Sequence, residues 1–251
     1  RQMCIRDSFK GHYADVAAAN IDTTISDGRD IASIFRQLAD VVDRLKESAH
    51  KENENRDLMY HYEHDLGGFR KWWVETFGGE PPKPTSYKPD TSIDTTSLGH
   101  RESTETRSGS MTVSSARPST VRALSNTLAN LGTSFDAEPG KLRNLSTEFM
   151  VKCQWGSVDA ENLISTFEAW NKSNANDKTW LGIVADTFEK YGSSSQIITV
   201  ANSTLEGAIS AAGVSTERHD LEVPAPAVVG MSTTSGYVND PVNVATGNFI
   251  E

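Results

Sequence analysis

Ile31, Phe35, Leu38, Val42, Leu45 and Ala49 recur at alternating steps of four and three residues, and this seam constrains the fold more than any other feature of the chain. Polar residues (Arg36, Gln37, Asp40, Asp43, Arg44, Lys46, Glu47) fill most of the intervening faces. A helix patterned in this way is unstable alone and must lay its apolar stripe on another helix. Residues 9 to 79 therefore read as a helical segment, with Leu58 and Met59 extending the seam and Gly67-Gly68 breaking it. A short aromatic coda, Phe69-Arg-Lys-Trp-Trp-Val-Glu-Thr-Phe77, closes the segment.

Residues 80 to 119 differ in kind. Of the 39 positions from 81 to 119, 21 are Ser, Thr or Pro, and large apolar side chains are almost absent. Such a stretch buries too little surface to offset its ordering entropy, and the composition predicts a disordered linker. Helical patterning returns over 120 to 213. Val121, Leu124, Leu128 and Leu131 form one stripe, and Leu142, Leu145, Phe149 and Val151 a second. Asp159 is placed to cap a third helix carrying Leu163, Phe167 and Trp170. The cluster Asn171-Lys-Ser-Asn-Ala-Asn-Asp-Lys178 reads as a turn that ends this helix, and a new one opens at Trp180. Gly192-Ser-Ser-Ser195 interrupts again, and a last segment contains Val200, Leu205, Ile209 and Ala212. Residues 214 to 236 form a second linker, because Pro224 and Pro226 cannot continue a helix. The fold class is all-α: two helical units of hairpin or bundle type, a disordered linker between them, and the first strands of a β domain at the C-terminal end.

Those strands are read from residues 237 to 251. Asp240-Pro241 is a turn, Val242 and Val244 alternate with Asn243 as in a half-buried strand, and Gly247-Asn248 is a two-residue hairpin loop. The phrase Asp-Pro-Val-Asn-Val-Ala-Thr-Gly-Asn-Phe resembles the opening of the sheet region in rearrangement-hotspot (RHS, or YD-repeat) proteins. The resemblance implies the amino-terminal lead-in of a large bacterial secreted protein that ends in a variable toxin domain. At the other end, Arg1-Gln-Met-Cys-Ile-Arg-Asp7 back-translates without a break to CGT CAG ATG TGT ATA AGA GAC, which looks like a transposon mosaic-end sequencing adapter. Residues 1 to 8 are set aside on that ground. On this reading both ends are artificial, and the lack of a leader carries no information.

Trp180-Leu-Gly182-Ile-Val-Ala185-Asp186 and Phe9-Lys-Gly11-His-Tyr-Ala14-Asp15 share one spacing: aromatic, x, Gly, x, x, Ala, Asp. At a helical-hairpin bend, glycine lets two backbones approach and the aromatic ring covers the open end of the core. Both sites resemble the Trp-x-Gly family of small helical-hairpin proteins exported by type VII secretion in Gram-positive and actinobacterial cells. The resemblance implies that Phe9, Gly11, Trp180, Gly182, Ala185 and Asp186 form a surface for secretion machinery or a helical partner. The Tyr-x-x-x-Asp/Glu signal common among such substrates has no match at any of the six tyrosines, and a partner protein would have to supply it.

Composition narrows the function classes. The formal charge is −10 with a pI near 5.1, which disfavours nucleic acid and direct membrane binding. Cys153 is the one cysteine outside the adapter stretch, and beside Val151 and Trp155 it reads as a small buried hydrophobe. His61 and His64 stand three apart with Glu63 and Asp65 between and after them, but a complete metal site wants three or four convergent ligands, and a solvated helix end is the better reading. There is no Gly-rich phosphate loop, Gly-x-Ser-x-Gly elbow or His-Glu-x-x-His. No cofactor and no catalysis are expected. The expected function is the export and presentation region of a secreted or cell-surface RHS-like protein; the alternative is a helical adhesion or scaffold module of a cell-wall protein with no toxin downstream. An a/d stripe is self-complementary across a two-fold axis, so the 31–49 seam, its partner helix removed, is expected to form a homodimer.

Overall fold

The computed structural model describes residues 8–78, 82–83, 87–96, 98, 111–152, 156–218 and 221–230. The chain is largely all-α, 70% helical, as its periodicity predicts. It divides into two compact units. Unit 1 comprises Arg1–Ser33, Thr95–Lys141 and Leu163–Pro224, and unit 2 comprises Ile34–Asp94, Leu142–Asn162 and Ala225–Glu251. Each is assembled from separated stretches of sequence, so the linker-based division at 80–119 does not describe the units.

Unit 1 is organised by a three-stranded antiparallel sheet. Its strands are β1 (Phe9–Gly11), β2 (Val113–Ala116) and β4 (Ile198–Ala201), in the order β1-β2-β4. Phe9 pairs with Ala116, and Ala116 in turn with Ile198. Each strand runs almost directly into a helix: α1 (His12–Tyr60), α3 (Pro118–Phe135) and α6 (Asn202–Ala211). Ser114, fully buried in β2, ties two of these helix starts together. Its Oγ accepts the Tyr13 backbone N–H at 3.3 Å and donates to Asn202 Oδ1 at 2.8 Å. Helix N-termini leave N–H groups without intrahelical partners, and here a distant serine serves as the cap. Gly11 adopts φ +98 at the β1–α1 junction, where a Cβ would lie 2.5 Å from Val113 O. It is a strand-to-helix corner rather than the helical-hairpin bend that the Trp-x-Gly resemblance implies.

α5 (Glu161–Glu189) is unbroken through 171–178, which correction replaces the predicted turn and the helix start at Trp180. Asn174 and Asp177 are poor helix formers because they compete for backbone bonds. Here both are buried with their side chains engaged by tertiary partners, so that competition is removed. The seam of α5 within unit 1 runs Leu163, Phe167, Trp170, Asn174, Asp177, Leu181, Val184, Phe188, in steps of four and three. That of α1 runs Tyr13, Ala17, Asn20, Thr24, Asp27, Ile31. The two pack antiparallel: Tyr13 meets Trp180, Asn20 meets Asp177, Thr24 meets Asn174, and Gly28 lies against the Trp170 ring. Val121 and Leu128 of α3 and Leu205 and Ile209 of α6 complete the apolar core.

In unit 2, α1 continues with Ile34, Leu38, Val41 and Leu45 buried. Phe35 and Val42, assigned to the seam from sequence, are only half-buried. Val41, Leu45 and Ala49 form a small cluster with Ile93, Phe149 of α4 (Glu138–Lys152) and Val228 of β5 (Ala227–Gly230). β5 pairs antiparallel with β3 (Gly156–Asp159), and Asp159 Oδ1 accepts the Glu161 N–H at 3.1 Å, at the start of α5 as predicted. Residues 87–95 were assigned to the disordered linker but are bound to α1. The Gln37 amide donates to Asp94 O (2.9 Å) and accepts from Asp94 N (2.7 Å), and Arg44 Nε donates to Asp90 O (2.9 Å). Residues 113–116 of the same predicted linker are the central strand β2, and 227–230 of the second linker are β5. The physical reason is shared: short segments gain order from hydrogen bonds to distant parts of the chain, which local composition does not register. α1 ends in a π-helical turn, His61–Asp65, and Gly67 breaks the chain before α2 (Gly68–Trp73) and a second π turn, Val74–Gly78.

Candidate functional site

The middle of the α1–α5 pair is polar where the seams would be apolar. Asn20, Thr24 and Asp27 from α1 face Asn174 and Asp177 from α5, and all five are buried. Asp177 is the hub. Its Oδ1 accepts from Asn20 Nδ2 (2.8 Å) and Trp180 Nε1 (2.9 Å), and its Oδ2 accepts from Arg218 Nη1 (2.7 Å). The Arg218 Nη1 group donates again to Asn174 Oδ1 at 2.8 Å, and Nη2 stands 3.7 Å from Asp27 Oδ2. The Thr24 hydroxyl shares its proton between Asn20 O (2.9 Å) and Asn174 Oδ1 (3.2 Å). Side-chain exposure is 1% for Arg218, 0% for Asp27 and 2% for Asp177, so the charge network is buried. Breaking such a network from one side strands a buried charge, and polar layers of this kind fix the register of paired helices.

The residues singled out from sequence divide around this layer. Phe9, Trp180 and Ala185 come together in the unit 1 core, with Phe9 edge-on to Phe188 (ring centroids 6.5 Å apart). Trp180 is fully buried. These three are core residues rather than an exposed interface: the tryptophan covers the core and, through Nε1, braces the polar layer. Gly182 lies beside Ser125 of α3, whose Oγ donates to Lys178 O at 2.8 Å. Asp186 is exposed and, with Glu189, pairs with Arg122, holding the guanidinium above its ordinary range. Ile31, Leu38 and Leu45 are buried and Phe35 and Val42 partly covered, all within one chain, which removes the exposed stripe on which pairing through the 31–49 seam was argued. Asp240, Pro241, Val242, Val244, Gly247 and Asn248, together with Cys153, lie outside the described residues. Sequence patterning missed Asn20, Thr24, Asp27 and Arg218. The first three keep the four-three spacing of the seam and were hidden by their polarity; nothing local marks Arg218.

A cluster of exposed aromatic side chains lies in unit 2. Phe69, Trp72, Trp73 and Phe77 are 74%, 51%, 53% and 66% exposed and stack mainly on one another, with Trp73 and Phe77 centroids 4.9 Å apart. Lys71 anchors their helix by donating to Glu63 O (2.7 Å), and Tyr62 by donating to Glu75 (2.7 Å). A groove of about 340 Å³ is lined chiefly by Leu38 and Val42 of α1 and Leu142, Leu145 and Phe149 of α4. Arg143 pairs with Glu161 and holds its carboxyl below the usual range.

His61 pairs with Asp65, and His64 stacks on Tyr60 at 4.4 Å. Among the described residues, no three His, Cys, Asp or Glu side chains gather as a metal site requires. Among the same residues, no helix is long and apolar enough to cross a membrane. No protein-family model, curated protein or solved structure matches the chain.

Proposed function

We propose that the chain is a non-catalytic export and presentation region of a large secreted or cell-surface bacterial protein of the RHS-like polymorphic-toxin kind. Its unit 2 docks a helical partner belonging to the secretion machinery. The observation that carries the docking role is the aromatic cluster of Phe69, Trp72, Trp73 and Phe77, exposed on the same unit as an apolar groove. Contiguous exposed apolar surface is a liability unless something binds it, and Trp-rich patches are where binding energy concentrates. The groove between α1 and α4 has the form that receives alternate turns of an amphipathic helix. The lead-in role rests on the 240–249 phrase and the type VII association on the two aromatic-x-Gly spacings.

The test is a reporter enzyme fused after residue 251 and expressed in a type VII-competent bacterium. The reporter is expected in the medium or at the cell surface, and only in cells with intact secretion machinery. Trp72→Ala with Trp73→Ala is expected to cut export at unchanged intracellular level. Retention of the fusion in the cell, or export independent of the machinery, contradicts the proposal.

A further inference from the structure

We infer that Asn174, Asp177 and Asp27 form a guanidinium receptor built into unit 1, which the chain fills with its own Arg218, so that residues 214–218 act as a releasable clasp on α1 and α5. The receptor is a set of acceptors on two helices arranged around one guanidinium. Asn174 Oδ1 and Asp177 Oδ2 lie 2.8 and 2.7 Å from one nitrogen, Nη1, and Asp27 Oδ2 faces the other, Nη2, at 3.7 Å. A lysine ammonium is a point charge on a shorter reach and cannot present two separate nitrogens to acceptors on two helices.

The group that fills the receptor belongs to neither helix. After α6, Gly213 turns the chain at φ +67, and the following stretch has no regular secondary structure. Its backbone is held by side chains from both receptor helices: Asn20 Nδ2 donates to Thr216 O (3.0 Å) and Asn176 Nδ2 to Ser215 O (2.7 Å). A few hydrogen bonds, with Arg218 as the one buried charge, hold the clasp. Among the described residues, Arg218 Nε and Nη2 make no hydrogen bond, so the guanidinium is retained through Nη1 and through charge. A group bound in this way exchanges with competitors of the same chemistry, and an alkylguanidinium, the end of any arginine side chain, is the ligand class the site takes.

Amide hydrogen exchange and thermal unfolding of the full chain test this. Arg218→Ala and Arg218→Lys are both expected to lose protection at 214–218 and to melt below wild type. Millimolar ethylguanidinium is expected to raise the melting temperature of Arg218→Ala, ethylammonium to leave it unchanged, and neither to move wild type. A lysine variant that matches wild type, or equal effects of the two cations, overturns the proposal. Should Arg218→Ala not fold, the wild-type protein decides: its Arg218 side-chain N–H protons are expected to exchange far more slowly than those of the exposed arginines. Exchange at the same rate overturns the receptor.

Discussion

Asp177 carries the most at the scale of single residues. It accepts from Asn20, Trp180 and Arg218, and its removal leaves the Arg218 guanidinium facing Asn174 and Asp27 alone. Asp177→Ala is expected to cost about 3–5 kcal/mol in urea unfolding, the usual penalty for breaking a buried ion pair from one side. Gly11→Ala is expected to cost about 1–3 kcal/mol, because φ +98 is strained for alanine and its Cβ would meet Val113 O. Tyr13 adds a pH dependence. Burial first, and then the charge of Glu206, push its phenol above the ordinary range. The unfolded chain loses this proton near about pH 10, before the folded one does. Stability from this group is thus complete below that pH and falls as pH rises through it, and Tyr13→Phe is expected to lose that part of the alkaline decline in a pH series of melts. Little of this was legible beforehand: Asn174 and Asp177 carry the local signature of a turn, and only partners more than a hundred residues away or across a clasp make them helical.

The seam was legible as a period at the scale of the helix, but its phase was not. Ile31, Leu38 and Leu45 are buried as read, while Ile34 and Val41 take the deep positions assigned to Phe35 and Val42. Both alternations fit the apolar residues of 31–45 equally well. The earlier half of the stripe, Tyr13 to Asp27, settles the phase, and its polar members concealed it. Ile34→Ala is expected to cost about 2–5 kcal/mol by cavity formation, and Phe35→Ala well below that; equal costs would restore the earlier phase. The short strands were illegible for a different reason. Phe9–Gly11, Val113–Ala116 and Ile198–Ala201 are three or four residues each, too short for a period, and they are ordered by backbone pairing of the outer two with the central Val113–Ala116.

For the whole molecule, length and helical period were enough to predict a largely all-α chain, and the assembly from separated stretches was not readable because contacts such as Asn20–Asp177 are non-local. The aromatic coda Phe69–Phe77 was legible in the sequence as the close of the first helical segment. In the fold its four rings are exposed. Replacing Trp72 and Trp73 by alanine is expected to change unfolding stability by no more than about 0.5 kcal/mol, as for other exposed positions, while reducing export of a fused reporter. A large stability loss would show that these rings serve the fold instead. Unit 1 depends above all on α1 and α5 closing over a shared polar layer through 171–178, a stretch that local chemistry assigns to a turn. Amide hydrogen exchange at those eight residues is the most direct measurement. Protection comparable to that of the apolar stretch 180–188 is expected; exchange at the rate of an open loop would contradict the continuous helix and the layer built on it.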